Sequence, residues 1–121
     1  MWTIEELLGK VSSSGGSDLI ITSGAPPKLK ILGVIHSVGD KPLTPDETKT
    51  LGLSILNEAQ KEMLEKNRSV DLSKGFVGLN RFRFNVFYQR STVALVARLI
   101  PYRIPPFGEL GLPPIVQQFA L

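Results

Sequence analysis

The run RFRFNVFYQ at residues 81–89 alternates large apolar side chains with arginines and amides at every second position. A period of two belongs to a β-strand with one buried and one open face, because the apolar stripe of an amphipathic helix recurs every three to four residues. Phe82, Phe84, Val86 and Tyr88 fall on one side, and Arg81, Arg83, Asn85, Phe87 and Gln89 on the other. A second strand, TVALVARLI at 92–100, follows after only Arg90 and Ser91. Paired as an antiparallel hairpin about that turn, the two strands set Arg83 opposite Arg98, with Arg81 two positions along on the same side. Like charges opposed on a sheet face weaken the pairing unless they are solvated or share an anionic ligand or carboxylate. Arg-Ser lacks the Asn-Gly signature of a tight hairpin, and a slip of one residue would send Arg98 to the other face.

The charge distribution sharpens the question of what these arginines meet. The net charge is only +3, yet between Leu72 and Gly108 there are six basic residues and no acidic one. That segment holds five of the six arginines, and the rest of the chain has eight basic and eleven acidic residues. A guanidinium fork matches carboxylates and phosphates better than an ammonium does, so the segment suits an anion or an acidic surface. A solvated sheet face is the alternative that composition leaves open.

Elsewhere the elements are marked by their ends. Thr3 with Glu6 reads as a capping box, Trp2 and Leu7 as a staple, and Ile4, Leu7, Leu8 and Val11 as the apolar stripe of a helix over residues 3–14, ended by SSSGGS. DLIITS and KLKILGVIHSV, separated by GAPP, read as one strand and then a longer or kinked strand with Gly33 at a turn or bulge. Thr44, Pro45 and Glu47 start a helix expected to run to about Leu56. Asn57 caps another, with Glu62 and Lys66 spaced as a supporting pair. SVDLSKGF is a short strand and VGLN a turn. Residues 101–114 hold five prolines and two glycines and read as an ordered linker, with a short helix over 114–120 after it. Helix, strands, two helices, strands is an α+β order with a mostly antiparallel sheet flanked by helices.

Several functions are excluded or disfavoured. No phosphate-binding loop of the G-x-x-x-x-G-K-[ST] type and no G-x-G-x-x-G occurs, so the chain does not bind and hydrolyse a nucleotide by the P-loop route on its own. There is no cysteine and a single histidine, His36, which argues against thiolate or multi-histidine metal sites. No apolar run has the length of a membrane span, and the acidic start MWTIEELLGK is not a secretory signal. Aromatics beside arginines also suggest a single-strand RNA platform, but the places that should carry aromatics after Arg81 hold Arg83 and Asn85, so no nucleic acid is expected.

SDLIITSGAPPKLKILGVIHSV, LTPDETKTL, GLNRFRFNVFYQRSTVALVARLIP and ELGLPPIV follow one another in the order found in the amino-terminal domain of PilT-type ATPases, the retraction motors of type IV pili within the secretion-ATPase superfamily. The chain resembles that domain over nearly its whole length. The resemblance implies a PAS-like domain over residues 1–102, followed at 103–121 by a proline-rich linker and short helix leading toward an ATPase core. It implies a homo-hexameric motor on the cytoplasmic face of the inner membrane, reached through an inner-membrane platform protein without insertion of the chain itself. The domain would pack on the core of the neighbouring subunit, with ATP and Mg bound in the full-length protein and no cofactor by this chain alone. Carried over by position, Arg81, Arg83 and Arg98 are the candidate cofactor-binding residues, as phosphate sensors or arginine fingers. No catalytic or metal-ligating residue is implied within the chain. Asp18 is expected to serve as a turn or interface residue. The sequence departs from the family at Ile20, where a histidine is usual, at Leu32, usually an aspartate, and at Ser91, often a glycine. It stops at Leu121 before any motor core, so it is expected to be a piece of a longer protein; the alternative is a stand-alone PAS-like module that binds a partner or ligand.

Overall fold

Three helices are fixed by their first turns. In the computed structural model, which describes residues 2–100, α1 (Ile4–Ser14), α2 (Pro45–Leu53) and α3 (Glu58–Asn67) each begin with a reciprocal capping box, on Thr3 with Glu6, Thr44 with Glu47, and Asn57 with Gln60. Each box satisfies two backbone N–H groups that the helix itself cannot. The predicted stripe of α1 is fully buried, Trp2 packs against its base, and Gly15 ends the helix in a left-handed conformation. α2 is shorter than expected. It stops at Leu53, and the backbone turns through a Leu56 to Leu53 hydrogen bond of 3.1 Å so that Ile55 and Leu56 enter the core. Glu62 and Lys66 do not form an ion pair; on α3 Lys61 pairs with Glu58 instead.

The strands β1 (Asp18–Ile21), β2 (Lys28–Ile31), β3 (Val34–Ser37), β4 (Ser69–Gly75), β5 (Arg81–Gln89) and β6 (Thr92–Ile100) form one antiparallel sheet in the order β3-β2-β1-β6-β5-β4. The α+β class read from the sequence is the class observed. The expected single kinked strand is two strands joined by Leu32 and Gly33, both at positive φ, 50° and 80°. Arg90 and Ser91 do the same between β5 and β6, at 52° and 69°. Two consecutive left-handed residues give the turn whose twist matches a hairpin, and here tertiary pairing imposes it on residues that do not favour it.

All three helices lie on one face of the sheet, over Leu19, Ile21, Phe82, Phe84, Val86, Val93 and Leu95. Phe76, Phe84 and Phe82 meet edge-on or tilted at 6.1 and 6.2 Å, so the alternation of β5 supplies the centre of the core. α2 approaches closely because residue 52 is a glycine: a Cβ there would lie 2.8 Å from Val93 Cγ1 and 3.3 Å from Val86 Cγ1. The end of α3 is pinned to β5 by Tyr88, whose hydroxyl donates to Glu65 while the Arg68 guanidinium stacks 3.9 Å from the ring centroid. Among the described residues, the opposite face of the sheet carries no helix. The expected linker and last helix, and Arg103, lie outside the described residues.

Two consequences are measurable. Gly52→Val should destabilise the domain by about 1–3 kcal/mol through overpacking, read as a lower urea midpoint at unchanged m-value. The hydrogen bond to Glu65, then burial, then the Glu65 charge raise the Tyr88 phenol above its ordinary pKa, opposed by Arg68. A raised folded-state pKa means stability that is complete below the unfolded value of about 10 and lost as pH rises through the folded one. Tyr88→Phe should abolish that alkaline loss when urea midpoints at about pH 9 and about pH 11 are compared.

Candidate anion-binding face

The open face is built by the pleat of the six strands. Side chains of paired residues stand side by side on one face of an antiparallel sheet, about 4.5–5.5 Å apart at Cβ. Following the register from edge to edge, Ile35, Lys30, Asp18, Arg98, Arg83 and Ser73 make a single row. Arg83 and Arg98 are directly opposed, as the hairpin reading of β5 and β6 requires. Arg81 stands two residues along β5, opposite Ile100 and Gly75, on the same side. All three predicted arginines are thus brought to one face at one end of the sheet.

Their partners differ. Arg98 donates from Nε to Asp18 Oδ2 at 3.2 Å, with its own side chain 71% exposed and that of Asp18 only 9% exposed. Asp18 also accepts from Ser17 Oγ at 2.6 Å. Arg81 donates from Nη2 to Ser73 Oγ at 3.2 Å. Arg83 has no side-chain hydrogen bond or ion pair among the described residues. The Nε–H of Arg98 is therefore tied down, while its terminal nitrogens and the whole Arg83 fork are available. An open groove of about 310 Å³ lies between them, lined by Asp18, Asp71, Arg83, Asn85, Val96 and Arg98. Its other carboxylate, Asp71, accepts from Asn85 Nδ2 at 2.8 Å.

The arrangement resolves the repulsion that the sequence posed. The nearly buried Asp18 places one negative charge in the row, so the Arg98–Arg83 pair has a neighbouring counter-charge and still retains net positive charge toward solvent. Asp18, expected to be a turn or interface residue, stands at the start of β1 rather than in a turn and holds an arginine. Its pairing with Arg98 spans eighty residues of sequence, and only the β1–β6 register reveals it. Arg90, in the turn at the far end of β5, does not join the cluster. Among the described residues there is no cluster of three or more His, Cys, Asp or Glu side chains that could hold a metal ion, and no helix long and apolar enough to cross a membrane.

Chemically, the face offers guanidinium N–H donors to phosphate oxygens, the geometry at which arginine is strongest. Among the described residues it has no backbone loop to enclose a nucleotide, and its two carboxylates, Asp18 and Asp71, each already accept a side-chain hydrogen bond.

Comparison with known proteins gives one consistent answer. No protein-family model matches the chain. The type IV pilus ATPase PilU of Pseudomonas aeruginosa is 39% identical over 117 residues, covering 97% of this chain and 31% of PilU. The type IV pilus retraction ATPase PilT of the same organism is 32% identical over 109 residues, covering 90% of this chain and 32% of PilT. A crystal structure of the pilus retraction motor PilT with bound ADP superposes with a TM-score of 0.81 at 40% identity, over 93% of this chain and 33% of that one. The ATPase DotB of Legionella pneumophila shares the fold, with a TM-score of 0.71 at 22% identity over 93% of this chain and 33% of its own. The chain spans about a third of the length of the curated relatives it matches.

Asp18→Asn removes the counter-charge and should lower stability by about 0.5–1 kcal/mol, more at low salt, where the Arg83–Arg98 repulsion is least screened. Adding Arg83→Gln should restore most of the loss, so the double-mutant cycle gives a coupling of that size; additive effects would mean the two arginines do not feel each other.

Proposed function

Because the chain is a homologue of the amino-terminal part of PilT-type ATPases, we propose that it is the amino-terminal domain of a pilus motor ATPase and supplies Arg83, Arg98 and Arg81 to the phosphates of a nucleotide held by another domain. The observation that carries this reading is the opposed pair Arg83–Arg98 on the sheet face opposite the helices, with one fork unpartnered among the described residues and the other oriented by a nearly buried carboxylate. The donor set fits phosphate oxygens and leaves the enclosing loop and the Mg site to the ATPase core. An ATP bound there would supply the negative charge; this chain's part is to place guanidinium groups against it from a rigid strand backbone.

The rigidity follows from the fold. Both arginines stand on long central strands whose other faces are fixed in the core by Phe82, Phe84, Leu95 and Ala97. The backbone that carries these arginines moves only with the whole domain, so whether their forks reach a phosphate depends on the position of the domain. Donors preset around charge that develops during phosphoryl transfer stabilise it without reorganising, which couples domain position to turnover. Half-buried Ile20, Val96 and Phe87 on the same face give the mixed apolar and polar character of a protein–protein contact. In this reading the domain seats on the core of a neighbouring subunit in a homo-hexameric ring, in the cytoplasm at the inner membrane, where a platform protein receives the motor.

The test is Arg83→Ala and Arg98→Ala in the full-length motor. Each should lower kcat for ATP by on the order of 10²-fold, the loss expected on removing one donor aimed at transition-state charge. Arg90→Ala, at the other end of the hairpin, should leave kcat within about twofold, a shift of roughly 0.4 kcal/mol in the barrier. Unchanged turnover in both cluster variants would leave a plain partner-binding module in place of a phosphate-sensing domain.

A further inference from the structure

The two most exposed apolar side chains of the described residues are Leu32, 92% exposed, and Val77, fully exposed. Each stands in a hairpin connection, Leu32 between β2 and β3 and Val77 between β4 and β5. The register puts both connections at the same end of the sheet. Lys30 is level with Asp18 and Arg98, and Gly75 with Arg81 and Ile100, so both chains turn back just beyond the arginine row. Four strand spacings separate the two hairpins, about 19 Å. Between them lie Arg81, Arg83 and Arg98, with Lys28 and Lys30 on β2 and Ile100, 37% exposed, where β6 ends.

Leu32 is also in an uncommon conformation. A bulky non-glycine residue at φ 50° is an outlier that local preference does not explain, and its side chain makes no compensating burial in this domain. The hairpin turn would be better served by asparagine before Gly33. A residue that is wrong for its turn and wrong for solvent is accounted for if a partner covers it.

We propose that this end of the sheet is the seat of the domain on the nucleotide-bearing protein surface, with Leu32 and Val77 as two apolar anchors on either side of the arginine cluster. The inference rests on the reading of the arginines given above and adds the residues that hold them in place. Charge selects the occupant. A second copy docking the same end across a two-fold axis would bring arginine against arginine, whereas a surface with an anionic centre, such as bound nucleotide phosphates, and two apolar recesses complements the pattern. Apolar anchors around a charged centre also exclude water from it and strengthen the guanidinium–phosphate contacts.

The experiment compares Leu32→Asn, Val77→Asp and Arg83→Ala in the full-length motor, with Leu32→Asn and Val77→Asp also made in the 121-residue chain. Leu32→Asn should leave the melting temperature of the chain unchanged or raised, since it relieves the turn, while both anchor variants weaken subunit assembly about tenfold or more by light scattering across a dilution series. Arg83→Ala should lower turnover and leave assembly near that of the parent. Anchor variants that assemble like the parent, while Arg83→Ala still lowers turnover, overturn the anchors and spare the arginine reading; a silent Arg83→Ala removes both. Co-sedimentation of the chain with phosphatidylglycerol vesicles, lost in the anchor variants, would assign the tips to a membrane surface and equally overturn the proposal.

Discussion

Everything on the open face depends on the register between β5 and β6. That register is held from within: Phe82, Phe84 and Val86 can be buried only if the odd-numbered residues of β5 face outward, and Val93, Leu95 and Ala97 impose the same choice on β6. A slip by one residue would expose three large side chains of β5 to water, at about 1.5–3 kcal/mol each. The core therefore fixes which side the arginines occupy, and the turn at Arg90 and Ser91 accepts a left-handed backbone as a consequence. Cationic crowding on the outside is the result of apolar order on the inside.

The β1–β6 pairing then makes that crowding stable. Asp18 enters the row beside Arg98, is nearly buried there, and is fixed by the Ser17 hydroxyl as well as by the arginine. A carboxylate in this position does two things at once. It offsets part of the repulsion between Arg98 and Arg83, and it fixes one edge of the Arg98 fork so that the remaining donors are preset. The cost is competition, because an incoming phosphate must share Arg98 with Asp18. Arg83, without such a partner among the described residues, is free to take the larger part of the contact.

How much of this was legible in the sequence follows from how local each signal is. Capping boxes act over three residues, and all three helix starts are visible in the residues that make them: Thr3 with Glu6, Thr44 with Glu47, Asn57 with Gln60. Period-two alternation is equally local, so β5 and the facing of Arg81 and Arg83 could be read directly, whereas β6 is apolar on both sides and the register that sets Arg98 opposite Arg83 is settled only by the pairing. The end of α2 could not, because Ile55 and Leu56 leave the helix to fill the core and no breaker marks the place. The turn at Leu32 was read as a kink because leucine disfavours the conformation it adopts. The role of Asp18 was hidden for a different reason: its partner is eighty residues away, and nothing short of the strand order connects them.

The central claim is that Arg83 and Arg98 form one anion-receptive site on a prebuilt face. Its most direct measurement is a titration of the isolated chain with inorganic tripolyphosphate, following the Nε–Hε NMR signals of every arginine. The account predicts that the Arg83 and Arg98 signals shift together along one binding curve while Arg90, at the opposite end of the hairpin, stays in place. Equal shifts at all arginines, or none at Arg83 and Arg98, would contradict it.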